Sequence, residues 1–209
     1  MNTNRLPPGR HGLSRQLVAD SQRERILRAM AQAAAEHGYA NVSVAEVLKR
    51  AGVSRETFYE QFSNKEACFL AVYDEAVAVI MKELREALPP PPWASHDGPL
   101  ERLGRFFESY LDALESEPAL ARAALIESYA AGPVSILRRA EGQARGAEAI
   151  AAMVGAKDER QRFACTALVA MIVGLATQRI ASGQGEQLQD LHAPLMDFAR
   201  SSLRAVGIE

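Results

Sequence analysis

The side chains best suited to bind another molecule lie close together in the first third of this 209-residue chain. Arg55, Glu56, Thr57 and Tyr59 occupy nearly consecutive positions, and Lys65 follows shortly after them. An arginine fork can bond a guanine edge with two hydrogen bonds, and a threonine methyl can contact thymine. Tyrosine and lysine donate to phosphate oxygens, which sets position on a duplex without reading its sequence. These residue types favour recognition of double-stranded DNA.

Two short helices joined by a tight turn are predicted to hold these side chains. Ser43 and Glu46 form a capping box that opens the first of them, and the free amides at its start can bind a phosphate. Its apolar positions, spaced i, i+3, i+4 and i+7, are Val44, Val47, Leu48 and Ala51. Gly52 supplies the turn and Ser54 caps the second helix. The pattern is typical of a helix-turn-helix, whose second helix enters the major groove. An ordinary helical corner with charged solvent faces is the alternative.

The stretch Ile26–Leu70 resembles the signature of the TetR family of transcriptional regulators. The matching pieces, in chain order, are Gly38-Tyr39, Ser43-Val44, Ala51-Gly52-Val53-Ser54, Thr57-Phe58-Tyr59, Phe62 and Lys65-Glu66. The resemblance implies that Tyr59 and Lys65 contact the DNA backbone, whereas Arg55–Thr57 face bases or phosphates. It also implies a helical body with a second, ligand-binding site.

Two positions depart from the family pattern. Residue 34 is Ala where the family usually has a large aromatic, and residue 48 is Leu where it usually has Ala. If Ala34 and Leu48 face each other, the exchange roughly conserves core volume, which cores tolerate well.

The charge distribution agrees with a polyanion-binding front on an acidic body. Residues 1–65 hold 10 Lys/Arg and 6 Asp/Glu, whereas the rest of the chain holds 14 and 20. Arg5, Arg10 and Arg15 lie in a polar N-terminal segment. This arm either enters a minor groove, as homeodomain arms do, or is an inert tail.

Helical periodicity runs through almost every segment, and no run alternates as a strand would. We predict an all-α protein of about nine helices. A flexible basic arm (1–18) precedes a three-helix helix-turn-helix domain (19–66) and a larger effector-binding and dimerisation domain (67–209). Capping boxes predict helix starts at Ser21 and Ser63, besides the one at Ser43.

Five further helices are predicted beyond the proline run Pro89–Pro92, which we interpret as a stiff linker. Helices 5 to 9 are placed at about Leu100–Ser116, Ala119–Ala131, Pro133–Val154, Asp158–Ser182 and Glu186–Val206. Helix 8 is apolar around most of its circumference, so it must be covered on two sides. The resemblance implies a homodimer through helices 8 and 9. A monomer with helix 8 as its central core helix is the alternative.

The resemblance also implies a small-molecule effector among helices 4 to 8. Candidate lining residues are Phe107, Tyr110, Glu127, Met153, Met171 and Gln178. Glu127 is an acidic residue within the apolar run Ala123–Ala131. It either forms a hydrogen bond to the ligand or faces solvent on an amphipathic helix. A ligand that tilts helix 4 would change the spacing of two recognition helices. By resemblance, the expected outcome is a repressor released from a palindromic operator.

Other classes of function find little support in the residues. The two cysteines have no paired spacing, and the four histidines are scattered, so no metal site or cofactor is predicted. No nucleophile elbow or phosphate loop indicates an enzyme. The longest apolar run, Phe163–Thr177, is shorter than the roughly 20 residues of a membrane span, so a cytoplasmic protein is expected. A helical lipid carrier that does not bind DNA is the remaining alternative.

Overall fold

The computed structural model describes residues 15–88 and 98–208, and within these ranges the chain folds into nine α-helices without strands. The helices are α1 (Arg15–His37), α2 (Val44–Ala51), α3 (Arg55–Gln61), α4 (Lys65–Ala87), α5 (Pro99–Ser116), α6 (Pro118–Leu125), α7 (Pro133–Val154), α8 (Glu159–Ala181) and α9 (His192–Ala205). Single 3₁₀ turns lie at Tyr39–Asn41, Glu127–Tyr129 and Gln189–Leu191. The predicted all-α class is confirmed. Residues 1–14 of the predicted arm and the run Pro89–Pro92 lie outside the described residues.

Side-chain caps set the starts of the headpiece helices α2 to α4. Ser43 Oγ accepts from the Glu46 amide at 3.2 Å, and Ser54 Oγ accepts from the Thr57 amide at 3.0 Å. Both caps were predicted from the sequence. The cap of α4 is Asn64 rather than Ser63, and its Oδ1 accepts from the Ala67 amide at 2.8 Å. Serine and asparagine cap helices about equally well, so the sequence did not distinguish the two positions.

The prediction that the first helix starts at Ser21 was wrong, because α1 already runs from Arg15. The segment between them, Gln16 to Asp20, contains neither proline nor glycine to stop it. Gln16 Nε2 donates to Asp20 Oδ1 at 2.8 Å, a helical i,i+4 pair. Ser21 therefore lies inside a helix, and the serine–glutamate spacing there is not a cap.

The headpiece has its own apolar core, formed by α1, α2, α3 and the first turns of α4. Its fully buried side chains include Ile26, Met30, Val47, Phe58 and Phe69. Part of α6 completes it, since Ala123 belongs to the same cluster. Helix α6 thus packs on the headpiece although it is far along the chain.

The body core lies among α5, α7, α8 and α9, with Leu103, Phe107, Ile150, Leu168 and Leu195 fully or almost fully buried. Among the predicted helices 5 to 9, two boundaries differ by several residues from the observed ones. The predicted helix 6 ends early, at Leu125, and continues as the 3₁₀ turn Glu127–Tyr129. The predicted helix 9 starts late, at His192.

Helix α4 crosses from the headpiece to the body. Its first turns bury Cys68 and Phe69 in the headpiece core, whereas Ile80, Leu84 and Leu88 pack against the body core. A single helix therefore contributes side chains to both cores.

Helix α8 is the one helix in the described part of the chain that is long and apolar enough to cross a membrane, with a mean hydropathy of 1.6. Cys165, Leu168 and Ile172 on one side are buried in the body core. Only 33% of its apolar window is buried, and Phe163 is 73% exposed. It is therefore a core helix with one uncovered face.

Candidate nucleic-acid interface and ligand cavity

The turn between α2 and α3 is held by a contact from α1. Gly52 adopts a left-handed conformation, with φ 64° and ψ 43°, which favours glycine. Arg25 Nη1 donates to the carbonyls of Ala51 at 3.0 Å and Gly52 at 3.4 Å. These carbonyls form the negative end of α2, where a cation is stabilising. Arg25 therefore fixes the turn, a role that sequence reasoning missed because the contact spans 26 residues.

Helix α3 presents the predicted set of polar side chains to solvent. Arg55, Glu56 and Tyr59 are exposed, while Phe58 is fully buried and anchors the opposite face. The Arg55 guanidinium lies 5.4 Å from the centre of the Tyr59 ring, so the two side chains lie along one ridge. Thr57 is half-buried, and its hydroxyl lies 3.0 Å from Ser54 Oγ. The arrangement leaves a protruding helix that can enter a groove.

Lys65 occupies a more structural position than the sequence suggested. Its Nζ donates to the carbonyls of Tyr39 and Val42, each at 3.0 Å, and lies 4.2 Å from the centre of the Tyr39 ring. An ammonium has three N–H donors, so one remains for a phosphate. Lys65 thus ties the segment before Ser43 to the start of α4.

The same segment is held from the body by a carboxylate. Glu127 Oε2 accepts from the backbone amide of Tyr39 at 2.9 Å, and Glu127 is only 7% exposed. Its Oε1 lies 3.7 Å from Nε of Arg122, which compensates the charge. The Tyr39 ring packs against Phe69 with a centroid distance of 4.6 Å. Glu127 is therefore a link between body and headpiece.

A cavity of about 370 Å³ lies between α4, α5, α6, α7 and α8. This volume is within the range of roughly 300–1,000 Å³ usual for small-molecule sites. Its apolar lining includes Ile80, Leu84, Leu88, Phe106 and Ile172. The polar groups in the wall are few: Tyr73, Arg85, Tyr110, Arg139, Gln143 and Arg145.

The predicted lining residues divide into two groups. Tyr110 and Met153 line the cavity. The other four lie outside it, which corrects their placement: Phe107, Glu127, Met171 and Gln178. Phe107 is fully buried in the core, Gln178 is exposed, and Glu127 faces Tyr39 instead. Helical periodicity predicts which side chains face the interior. It does not predict whether an inward side chain contacts the cavity or a neighbouring helix.

A further polar residue of the cavity wall is Arg139, which is 7% exposed. It directly follows another arginine, Arg138, in α7. Arg138 is exposed and pairs with Asp74 at 2.9 Å, whereas Arg139 is buried beside the cavity. Adjacent helical residues point in directions about a quarter-turn apart, so only packing separates their roles.

A helix-turn-helix headpiece, joined by one long helix to a helical body with an apolar cavity, defines the class of helix-turn-helix regulators. Residues 26–72 match the model of the bacterial regulatory proteins of the tetR family. Over this headpiece the chain is similar to the TetR family of bacterial regulators.

Known proteins share part of the sequence and the overall fold. The transcriptional activator FasR of Mycolicibacterium smegmatis is 28% identical over 111 residues, which are 53% of this chain and 48% of FasR. The match thus spans about half the length of that relative. A regulator from Rhodococcus sp. RHA1 superposes with a TM-score of 0.71 at 24% identity, covering 88% of this chain and 96% of its own. FadR from Bacillus subtilis, solved with stearoyl-CoA, superposes at 0.68 and 18% identity, covering 86% and 98%.

Proposed function

We propose that this protein is a DNA-binding transcriptional regulator, a homodimer that binds a palindromic operator and is released by a small hydrophobic effector. The observation that supports this most directly is the exposed face of α3, with Arg55, Glu56 and Tyr59 on a helix fixed from below by buried Phe58. Such a helix can place an arginine on a guanine edge while tyrosine bonds the backbone.

Phosphate contacts are proposed at the edges of this helix. The amides at the start of α2, next to Ser43, and the remaining N–H of Lys65 lie on neighbouring segments. Helix N-termini bind anions through free amides and the helix dipole. Together with Ser54 and Thr57 at the start of α3, these groups would set the register on the duplex.

The uncovered face of α8 supports the homodimer. Phe163 on α8 and Phe198 on α9 are 73% and 52% exposed. At helical spacing from Phe163, α8 presents small exposed residues, including Ala167, Ala170 and Gly174, which permit close helix approach. A second copy of this face would bury these aromatic rings. It would also present two recognition helices to two half-sites.

Helix α4 supports the proposed release mechanism. It carries Lys65 at one end and lines the cavity with Ile80 and Leu84 at the other. A ligand that favours one tilt of α4 shifts the spacing of the headpieces by its difference in affinity for the two forms. We propose that the protein represses transcription when it is bound to its operator. FasR, a relative that is named an activator, shows that the opposite effect on transcription also occurs.

The function is tested by selecting genomic DNA fragments with the full-length protein at several salt concentrations. We expect a palindromic sequence whose affinity falls steeply with salt, because phosphate contacts release counterions. Arg55→Ala is the test variant, since it removes an exposed side chain of α3 without changing the core. It should lose sequence preference but keep the thermal stability of the wild type. A folded dimer that enriches no sequence at any salt would support the lipid carrier instead.

A further inference from the structure

Arg139 on α7 is a buried cation without an ion pair among the residues that the structure describes. It is 7% exposed, and its Nη1 donates to the carbonyls of Ala124 at 3.1 Å and Leu125 at 3.2 Å. Its guanidinium also lies 4.7 Å from the centre of the Tyr129 ring. Carbonyl dipoles and an aromatic face supply only partial negative charge, whereas arginine keeps its full positive charge. Because buried charges are normally paired, Arg139 lacks its natural counterpart.

The cavity is where that counterpart would fit. Arg139 and Tyr110 both line it. Tyr110 is 9% exposed, and its hydroxyl has no hydrogen-bond partner in the described part of the chain. Burial raises the pKa of Tyr110, so the phenol stays protonated near neutral pH and can donate. Two donors, one of them charged, thus lie on the same cavity wall.

A second tyrosine completes this polar corner. The Tyr73 hydroxyl donates to the Arg138 carbonyl at 3.3 Å and is therefore already occupied. Gly142 makes room for it, because a Cβ at that position would lie 2.9 Å from the Tyr73 oxygen. Tyr73 therefore lines the cavity together with Arg139, but its hydroxyl proton is not available to a ligand.

The remaining lining determines the rest of the ligand. Beyond this corner the wall is almost entirely aliphatic or aromatic, with Val77, Ile80, Leu84, Phe106 and Met153 among its members. Apolar surface of this kind favours a hydrocarbon chain over a second polar group. The two other lining arginines, Arg85 and Arg145, are exposed.

We propose that the cavity binds an amphipathic acid, with its carboxylate on Arg139 and Tyr110 and its apolar tail along α4 and α5. A carboxylate accepts two hydrogen bonds from a guanidinium and supplies the missing negative charge. Because Arg139 is buried, the charged end of the bound acid is its buried end. This inference names the effector class of the proposed function, and only its regulatory consequence rests on that function.

The site is physically continuous with the headpiece anchor. Arg139 holds the carbonyls at the end of α6, and two residues beyond Leu125 the side chain of Glu127 holds the Tyr39 amide. Only Nη1 of Arg139 is used by these carbonyls, so other N–H donors of the guanidinium can bind a carboxylate. A carboxylate that draws the guanidinium towards the cavity would weaken the two hydrogen bonds at the end of α6, close to the contact between body and headpiece.

The test measures binding of decanoate, decanol and decanoyl-CoA to the protein by calorimetry, without DNA. We expect decanoate to bind roughly tenfold or more tightly than decanol, because only the acid forms the charge-assisted pair. Arg139→Met should bring the two affinities close together, and Tyr110→Phe should weaken decanoate several-fold with little effect on decanol. Arg145→Met is the matched control on an exposed lining arginine and should keep the preference.

Several results would overturn the proposal. They are equal binding of decanoate and decanol to the wild type, binding of neither, or an undiminished preference in Arg139→Met. Much tighter binding of decanoyl-CoA than of decanoate would show that the head group faces outward. Thermal unfolding shows whether each variant is folded. If Arg139→Met does not fold, the effect of Tyr110→Phe on decanoate binding tests the proposal. Since no DNA is present, failure of operator binding leaves this result standing.

Discussion

The side chain of Glu127 accepts a hydrogen bond from the backbone amide of Tyr39 at 2.9 Å, across 88 positions of the chain. The contact is buried and joins the 3₁₀ turn after α6 to the turn before α2. Lys65 holds the carbonyl side of the same residue at 3.0 Å. The entry to the helix-turn-helix is thus fixed by one anion from the body and one cation from α4.

Removing the Glu127 carboxylate should destabilise the protein. Glu127→Ala leaves the Tyr39 amide without an acceptor and Arg122 without its partner, so we expect a loss of about 2 kcal/mol in the free energy of unfolding. Urea denaturation measures it. Glu148→Ala is the control, because Glu148 is 70% exposed and its pair with Arg162 is a surface salt bridge. Equal effects of the two changes would show that the buried link does not stabilise the fold.

Leu48 should contribute to the headpiece core. It is half-buried against the cluster that contains fully buried Ala34, the position where the family usually has an aromatic residue. Leu48→Ala should leave a void and cost about 2 kcal/mol of stability. Thermal unfolding compares it with Leu137→Ala, where the side chain is 63% exposed. Similar melting temperatures for the two variants would contradict compensation between positions 34 and 48.

A charge on the uncovered face of α8 should separate the proposed dimer. Phe163→Asp places a carboxylate where a second copy would bury an aromatic ring, and an unpaired buried charge is costly. Analytical ultracentrifugation should show a monomer at concentrations where the wild type is a dimer. Leu137→Asp, on the exposed side of α7, should leave the dimer intact. Persistence of the Phe163→Asp dimer would place the interface elsewhere.

Alkaline pH should weaken the fold through Cys68. Burial raises the pKa of this thiol from 9.0 to about 12, so the native state holds a proton that the unfolded chain releases. The associated stability is present below pH 9 and is lost as the pH rises towards 12. Urea unfolding at increasing pH should show this decline. Cys68→Ala should make it shallower, and an identical slope in this variant would exclude the thiol as its source.

The sequence by itself determined the helix-turn-helix, because its signals are local. Caps at Ser43 and Ser54 and the left-handed Gly52 each act within one turn of backbone, so residue type and spacing are sufficient to predict them. The exposure of Arg55 and Tyr59 follows from the burial of Phe58 on the other side of a short helix. Composition and periodicity likewise determined the all-helical class.

Only the tertiary structure decided what the polar residues of the body do. Periodicity assigns a side chain to a face, but the partner across that face comes from a distant part of the chain. Glu127 was expected to line a pocket or face solvent and instead holds Tyr39, while Arg139 is the buried cation beside the cavity. These roles depend on contacts between residues far apart in sequence, which local propensity does not encode.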